Sequence, residues 1–261
     1  EQFHITRLVV PAFNVRVGHL VVPMGLTNTH HEPLNFFTPA RPEGETSIIP
    51  STWHETGLEF FGSFGRGLAS FDYEALITSG LNPDGFGKYE WVKGGKQGAF
   101  EFDNFTSPAY TARLNWTGVP GLRLGVSAYY NPNSGKNCEK LVNYEALNKV
   151  NVFMYSFDAQ YVGRYVTARA NVLHGYLSAS DQVSAASVSS ASPYGTRNRG
   201  VGSHALTYSA ELGFNLASFF PGVKFPAIYP YAHYDYYNPQ ESMSAGTAAD
   251  PRTQEIGRAH V

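Results

Sequence analysis

The stretch Ala109-Tyr-Thr-Ala-Arg-Leu-Asn-Trp116, its joint Thr117-Gly-Val-Pro-Gly121 and the return Leu122-Arg-Leu-Gly-Val-Ser-Ala-Tyr-Tyr130 decide the fold. Tyr110, Ala112, Leu114 and Trp116 alternate with Thr111, Arg113 and Asn115. Past the joint, Leu122, Leu124, Val126, Ala128 and Tyr130 alternate with Arg123, Gly125 and Ser127. A period of two places each set on one face of a strand, so the segment reads as a hairpin with one apolar and one polar face.

Working outward, the same alternation marks strands over Asn14–Val22, Thr56–Phe64, Leu68–Ser79, Asn151–Tyr161, Arg164–Tyr176, His204–Leu216 and Phe225–Tyr237. Gln2–Val10 supplies another before an Ala12-Phe13-Asn14 turn, with weaker alternation. Short joints (Gly65-Arg66-Gly67, Gly163, Pro221-Gly222) alternate with long loops, among them the Ser/Ala-rich Ser178–Ser192. A strand crossing a bilayer at about 45° needs about 9–11 residues, whereas strands of soluble sandwiches run about 5–6. The fold class predicted is therefore all-β: an antiparallel up-and-down transmembrane β-barrel, of which residues 1–254 supply about ten strands. Val15, Val17, Leu58, Phe60, Tyr73, Ile77, Leu114, Leu124, Val126, Leu212 and Phe214 should face lipid, with aromatics near the strand ends.

Composition fits such a wall. The 261 residues carry a net charge of −2, with 15% charged and 15% aromatic residues. A barrel with a wet lumen needs that mixture, because half of each strand faces water. No run of about 18 apolar residues offers a transmembrane helix, and no clustered basic face invites nucleic acid. The lone cysteine, Cys138 in the Asn131–Leu141 loop, forms no intrachain disulfide and reads as incidental.

The ends shape the expected domain limits. Glu1 enters almost directly into strand-like sequence without a signal peptide's features. The tail Glu255-Ile-Gly-Arg-Ala-His-Val261 resembles the translation of a widely used sequencing adapter. Residues 255–261 are therefore expected to be a non-native tail, and the chain a piece of a larger barrel.

Three blocks carry a family resemblance: Arg16-Val-Gly-His-Leu-Val-Val-Pro-Met-Gly25, Arg41-Pro-Glu-Gly-Glu-Thr-Ser-Ile-Ile-Pro-Ser-Thr-Trp-His-Glu-Thr-Gly57 and Tyr73-Glu-Ala-Leu-Ile-Thr-Ser-Gly-Leu-Asn82. Across roughly Val15–Tyr130 the layout resembles the phosphate-selective porins of Gram-negative outer membranes. That resemblance implies sixteen strands, a homotrimer, loops folded into the lumen and a place in the cell outer membrane among phospholipid and lipopolysaccharide. It also implies passage of small solutes or inorganic anions, phosphate in some members through lumenal Arg and Lys.

With the apolar face outward, the expected pore lining is Arg16, Glu59, Asp72, Glu74, Arg113, Arg123, Asp158, Arg169 and Glu211, with Asp235 beside them. Anion pores use basic rings and cation pores acidic ones; these signs are mixed. The expectation is thus a passive diffusion channel for small hydrophilic solutes or ions. A phosphate or anion channel and a binding or adhesion barrel are the alternatives, and Arg and carboxylate pairs bracing the wall are an equal reading of each charge. The Met24–Thr52 loop, with Pro33, Pro39, Pro42, Pro50, Phe36 and Phe37, suits a packed loop. Folded inward, its Arg41, Glu43 and Glu45 would form a constriction, Arg41 meeting Arg113 or Arg123. Neither His30-His31-Glu32 nor His54-Glu55 has zinc-peptidase spacing, and no G-x-S-x-G elbow occurs, so no enzyme, metal or cofactor is expected.

Overall fold

The computed structural model describes residues 2–38, 41–97, 105–138, 147, 149–186, 200–220, 228–244, 248–253 and 259–260. The chain forms one antiparallel sheet in sequence order: β1 (Phe3–Val10), β2 (Phe13–Val21), β3 (His54–Phe64), β4 (Phe71–Thr78), β5 (Ala109–Val119), β6 (Leu122–Asn131), β7 (Val152–Val162), β8 (Val166–Leu177), β9 (His204–Phe214), β10 (Tyr231–Ser242) and the two-residue β11 (Ala259–His260). Every strand pairs with its neighbour in sequence, and among the described residues the sheet does not close. The all-β, up-and-down antiparallel architecture is thus as the alternation predicted.

Local chemistry sets the turns. Val119 pairs with Leu122 across Pro120-Gly121, and Gly121 has φ +82°. Proline then glycine at a left-handed position is the type II pattern. The Pro11-Ala12 turn is tighter than expected, since Phe13 already pairs with Val10. The joint before β4 is longer, because Gly67–Ala69 forms a 3-10 turn where strand was expected.

Two further expectations need correction. The last long strand starts at Tyr231 and not at Phe225. Residues 225–227 fall outside the described set, and 228–230 are not strand. Pro226 and Pro230 cannot donate to a ladder, which disfavours a strand start there. Ser178–Ser192 contains a short helix, α2 (Ser180–Ala186). An earlier helix, α1 (Glu43–Ile48), lies in the loop joining β2 to β3. Residues 255–258 and 261 of the suspected tail lie outside the described residues, and 259–260 pair with β10.

Burial is inverted relative to a soluble sheet. On β5 the polar-face residues Thr111, Arg113 and Asn115 are 3–8% exposed, while Leu114 and Tyr110 on the other face are 38% and 48% exposed. The same inversion runs through β6, β7 and β9, where Leu124, Val126, Phe157, Leu212 and Phe214 are exposed and Ser127, Asp158 and Glu211 buried. The conventional apolar core sits at the long-loop end. Trp53, Trp91, Tyr129, Phe86, Met24 and Leu173 pack there, with the Trp53 and Tyr129 rings 4.8 Å apart. Cys138 is buried in this cluster, and desolvation pushes its thiol pKa well up, which leaves it unreactive.

Candidate functional site: a belt of ion pairs under a docked loop

The loop between β2 and β3 lies over the polar face. Arg113 on β5 donates to the Gly25 carbonyl (2.9 Å), and Ser127 on β6 accepts from the Gly25 amide (3.2 Å). Glu211 on β9 accepts the Phe37 amide (3.1 Å), and Asp235 on β10 accepts the Glu43 amide (3.0 Å). Wall side chains thus satisfy loop backbone groups that would otherwise be buried without partners.

The loop also closes on itself through Glu45. This buried carboxylate accepts the amides of Leu26 (2.8 Å), Thr27 (3.1 Å) and Asn28 (2.7 Å), and Asn171 of β8 donates to it at 2.9 Å. Burial pushes its pKa up to about 7 although the three amides hold it down. Gly25 makes this approach possible: φ is +74°, and a Cβ there would stand 2.3 Å from the Glu45 carboxyl carbon.

Side chains show that the sheet curls around the loop. His30 lines one cavity with Arg16 of β2 and Glu59 of β3, and a second with Glu211 of β9 and His233 of β10. In a flat sheet β2 and β10 would stand about 38 Å apart, too far for one imidazole to border both.

The expected lining charges form a belt. Arg16 bonds Glu59 at 2.8 Å, Arg113 holds Asp158 through two bonds of 2.7 and 2.8 Å, and Arg169 bonds Glu211 at 2.8 Å. His233 follows, 2.6 Å from Asp235 and 3.5 Å from Glu211. The belt descends stepwise through the register. Arg16 faces Glu59, and Glu59 faces Leu76. Glu74, two residues nearer the short turns, faces Arg113. On β8 and β9 the belt residues Arg169 and Glu211 lie six residues nearer the turns than the rung that began at Arg16. Six residues over seven strand spacings, about 20 Å against 34 Å, is a slope of about 30°.

The remaining expected residues divide. Arg123 touches His30 through its guanidinium and donates to Gln160 at 2.9 Å. Burial and that guanidinium push His30 down to about 4. Glu74 and Asp72 lie on the same face with no ion pair among the described residues. Arg16, Glu59, Glu74, Arg113 and Arg123 border a cavity of about 360 Å³ together with His30, while Asp72, Asp158 and the three loop charges do not. Arg41 does not meet Arg113 or Arg123: it donates to Ser51 and Thr52 at 2.9 and 2.8 Å and ties the loop's own end. Glu45 is the loop's internal clasp, and Glu43 acts through its amide.

Sequence reasoning missed His233 and Asn171 and weighed His30 only as a metal ligand. His233 was legible, being two residues from Asp235 on an alternating strand, whereas His30 depends on where the loop lands.

No protein-family model matches the chain. Over 160 residues it is 29% identical to an uncharacterized protein of Aquifex aeolicus (strain VF5), a match covering 60% of this chain and 36% of that protein. The chain thus spans about a third of that relative's length.

Proposed function

We propose that the sheet is the wall of an outer-membrane β-barrel and that its polar face lines a passive channel for small hydrophilic solutes. One observation carries this reading: the faces are inverted, with aliphatic and aromatic side chains exposed and charges buried. Monomeric soluble proteins rarely expose such a continuous apolar surface, while a lipid-facing wall requires it. The outward residues of β5 run Tyr110, Ala112, Leu114, Trp116, aromatic at both ends and aliphatic between. Six residues span about 20 Å along the strand, which at a barrel tilt of about 40° projects to about 15 Å and fits within an apolar band about 25 Å tall. The belt supports the same reading. Its slope of about 30° against the register approaches the tilt of barrel strands, so the ion pairs would ring the lumen at one depth.

Because nearly every arginine of the belt is answered by a carboxylate, the wall offers no basic ladder, and a weakly selective pore follows. Phosphate selectivity, a trimer and sixteen strands remain part of what the resemblance implies. The three tryptophans test the membrane reading. Trp116 lies on the apolar face, whereas Trp53 and Trp91 are fully buried in the loop core. In vesicles containing brominated lipid, a variant keeping only Trp116 should be quenched and one keeping only Trp91 should not. Equal, weak quenching of both would remove the membrane reading.

A further inference from the structure

We infer that the cavity beside the docked loop is a site for small zwitterionic solutes carrying an ammonium and a carboxylate, of the size of a short amino acid. The inference rests on the channel reading and deepens it. The cavity, about 360 Å³, falls at the lower end of the range for small-molecule pockets. Its charges must first be reduced by the pairs they already make. Arg16 is held by Glu59 and Arg113 by Asp158, and such pairs present little net charge to a solute.

Two buried or half-buried charges remain. Glu74 on β4 makes no hydrogen bond and no ion pair among the described residues. Arg123 on β6 has only the neutral acceptors His30 and Gln160, and its Nε is buried without a partner. Glu32, exposed on the loop, adds a second carboxylate at the cavity edge.

Glu74 and Arg123 do not touch. They stand two strands apart with β5 between them, and four residues apart in register, because Glu74 faces Arg113 and Arg113 faces Ser127. The Cα separation of about 17 Å is shortened from both ends by the two side chains, which border one cavity. Charge-assisted hydrogen bonds of about 2.8 Å at each end leave space for a short dipole: its ammonium on Glu74, its carboxylate on Arg123. Glu74 lies in the field of Arg113, Arg16 and Arg123, and Arg123 in that of Asp158 and Glu74, yet among the described residues no hydrogen bond joins Glu74 or Arg123 to any of these groups. A simple anion would leave Glu74 without a hydrogen-bonded counterpart and a simple cation would leave Arg123 without one. Each buried charge lacking a counterpart is costly, so a solute carrying both signs is the best match.

The test is swelling of proteoliposomes holding the intact protein, in isosmotic solutes of matched size: glycine and β-alanine against the neutral glycolamide and lactamide. Zwitterions should enter several-fold faster than their neutral counterparts. Glu74→Gln or Arg123→Gln should abolish that advantage while neutral solutes still enter, and Arg123→Lys should keep it. Entry ranked by size alone in the wild type would overturn the zwitterion site and leave the channel standing. No swelling with any solute would overturn the channel and this inference with it.

Discussion

Replacing Glu45 by alanine should release the loop while leaving the sheet intact. The substitution removes the acceptor for three amides and for the Asn171 side chain. A buried donor left unsatisfied costs about 1–3 kcal/mol, so three amides at the lower figure give about 3 kcal/mol, roughly a hundredfold in the ratio of docked to undocked loop. The strand ladders do not pass through Glu45, so they should hold. Hydrogen exchange resolved by peptide is the assay. Amides 26–28, with those of Phe37 and Glu43 that the wall accepts, should exchange about a hundredfold faster, while β5 to β9 stay unchanged. Protection of those loop amides within a few-fold of wild type would refute the claim that Glu45 clasps the loop. Uniform loss across the strands would refute its independence from the sheet.

Other expectations follow from the same contacts. Gly25→Ala should undock the loop almost as effectively, because φ +74° disfavours a side chain and the Cβ would meet the Glu45 carboxylate; loop cleavage by added protease reports it, and wild-type resistance would contradict it. Arg113→Ala strands the fully buried Asp158 and should cost about 3–5 kcal/mol, whereas Arg16→Ala, which removes a side chain 29% exposed from a Glu59 that is 4% exposed, should cost less; urea midpoints in detergent compare them, and equal losses would argue against the difference. Docking should also respond to pH in two opposed ways. Glu45 rises from 4.5 to about 7 when buried, so the docked loop binds a proton the free loop lacks, and docking strengthens as pH falls from about 7 to 4.5. His30 falls from 6.5 to about 4, so the docked loop has lost a proton, and docking weakens as pH falls from about 6.5 to 4. The wild type should therefore be nearly flat between about 6.5 and 4.5. Glu45→Gln should expose the weakening and His30→Gln the strengthening in loop exchange rates, and a steep wild-type response there would contradict the assignment.

Much of the wall was legible because a strand's two faces differ by one residue. Tyr110, Leu114 and Trp116 against Thr111, Arg113 and Asn115 determine a face without any tertiary knowledge. The error at β10 has a local cause. Tyr231–Tyr237 alternates well, but the prolines on either side blurred where pairing begins, and Pro239 sits where the register shifts between Asn238 and Ser242. The loop was less legible. Its prolines and phenylalanines announced packing, yet Glu45 and Arg41 looked alike as loop charges, and their roles differ through contacts made on folding. Glu45 finds amides 17 to 19 residues earlier in the chain, and Arg41 finds hydroxyls 10 and 11 residues later. No period in the sequence encodes such partners. The pairing of Arg113 with Asp158, 45 residues away, required knowing that β5 and β7 flank Gly125, whose missing side chain leaves room for the guanidinium.

On the proposed reading the polar face encloses a water-filled path across a membrane. The intact protein, added to a planar bilayer in a salt gradient, tests it directly. Discrete current steps should appear, with a reversal potential near zero because the belt's arginines and carboxylates largely cancel. Failure to produce steps from well-folded, bilayer-inserted protein would contradict the channel. A strongly anion-selective current blocked by millimolar phosphate and relieved by Arg123→Ala would contradict the weakly selective pore.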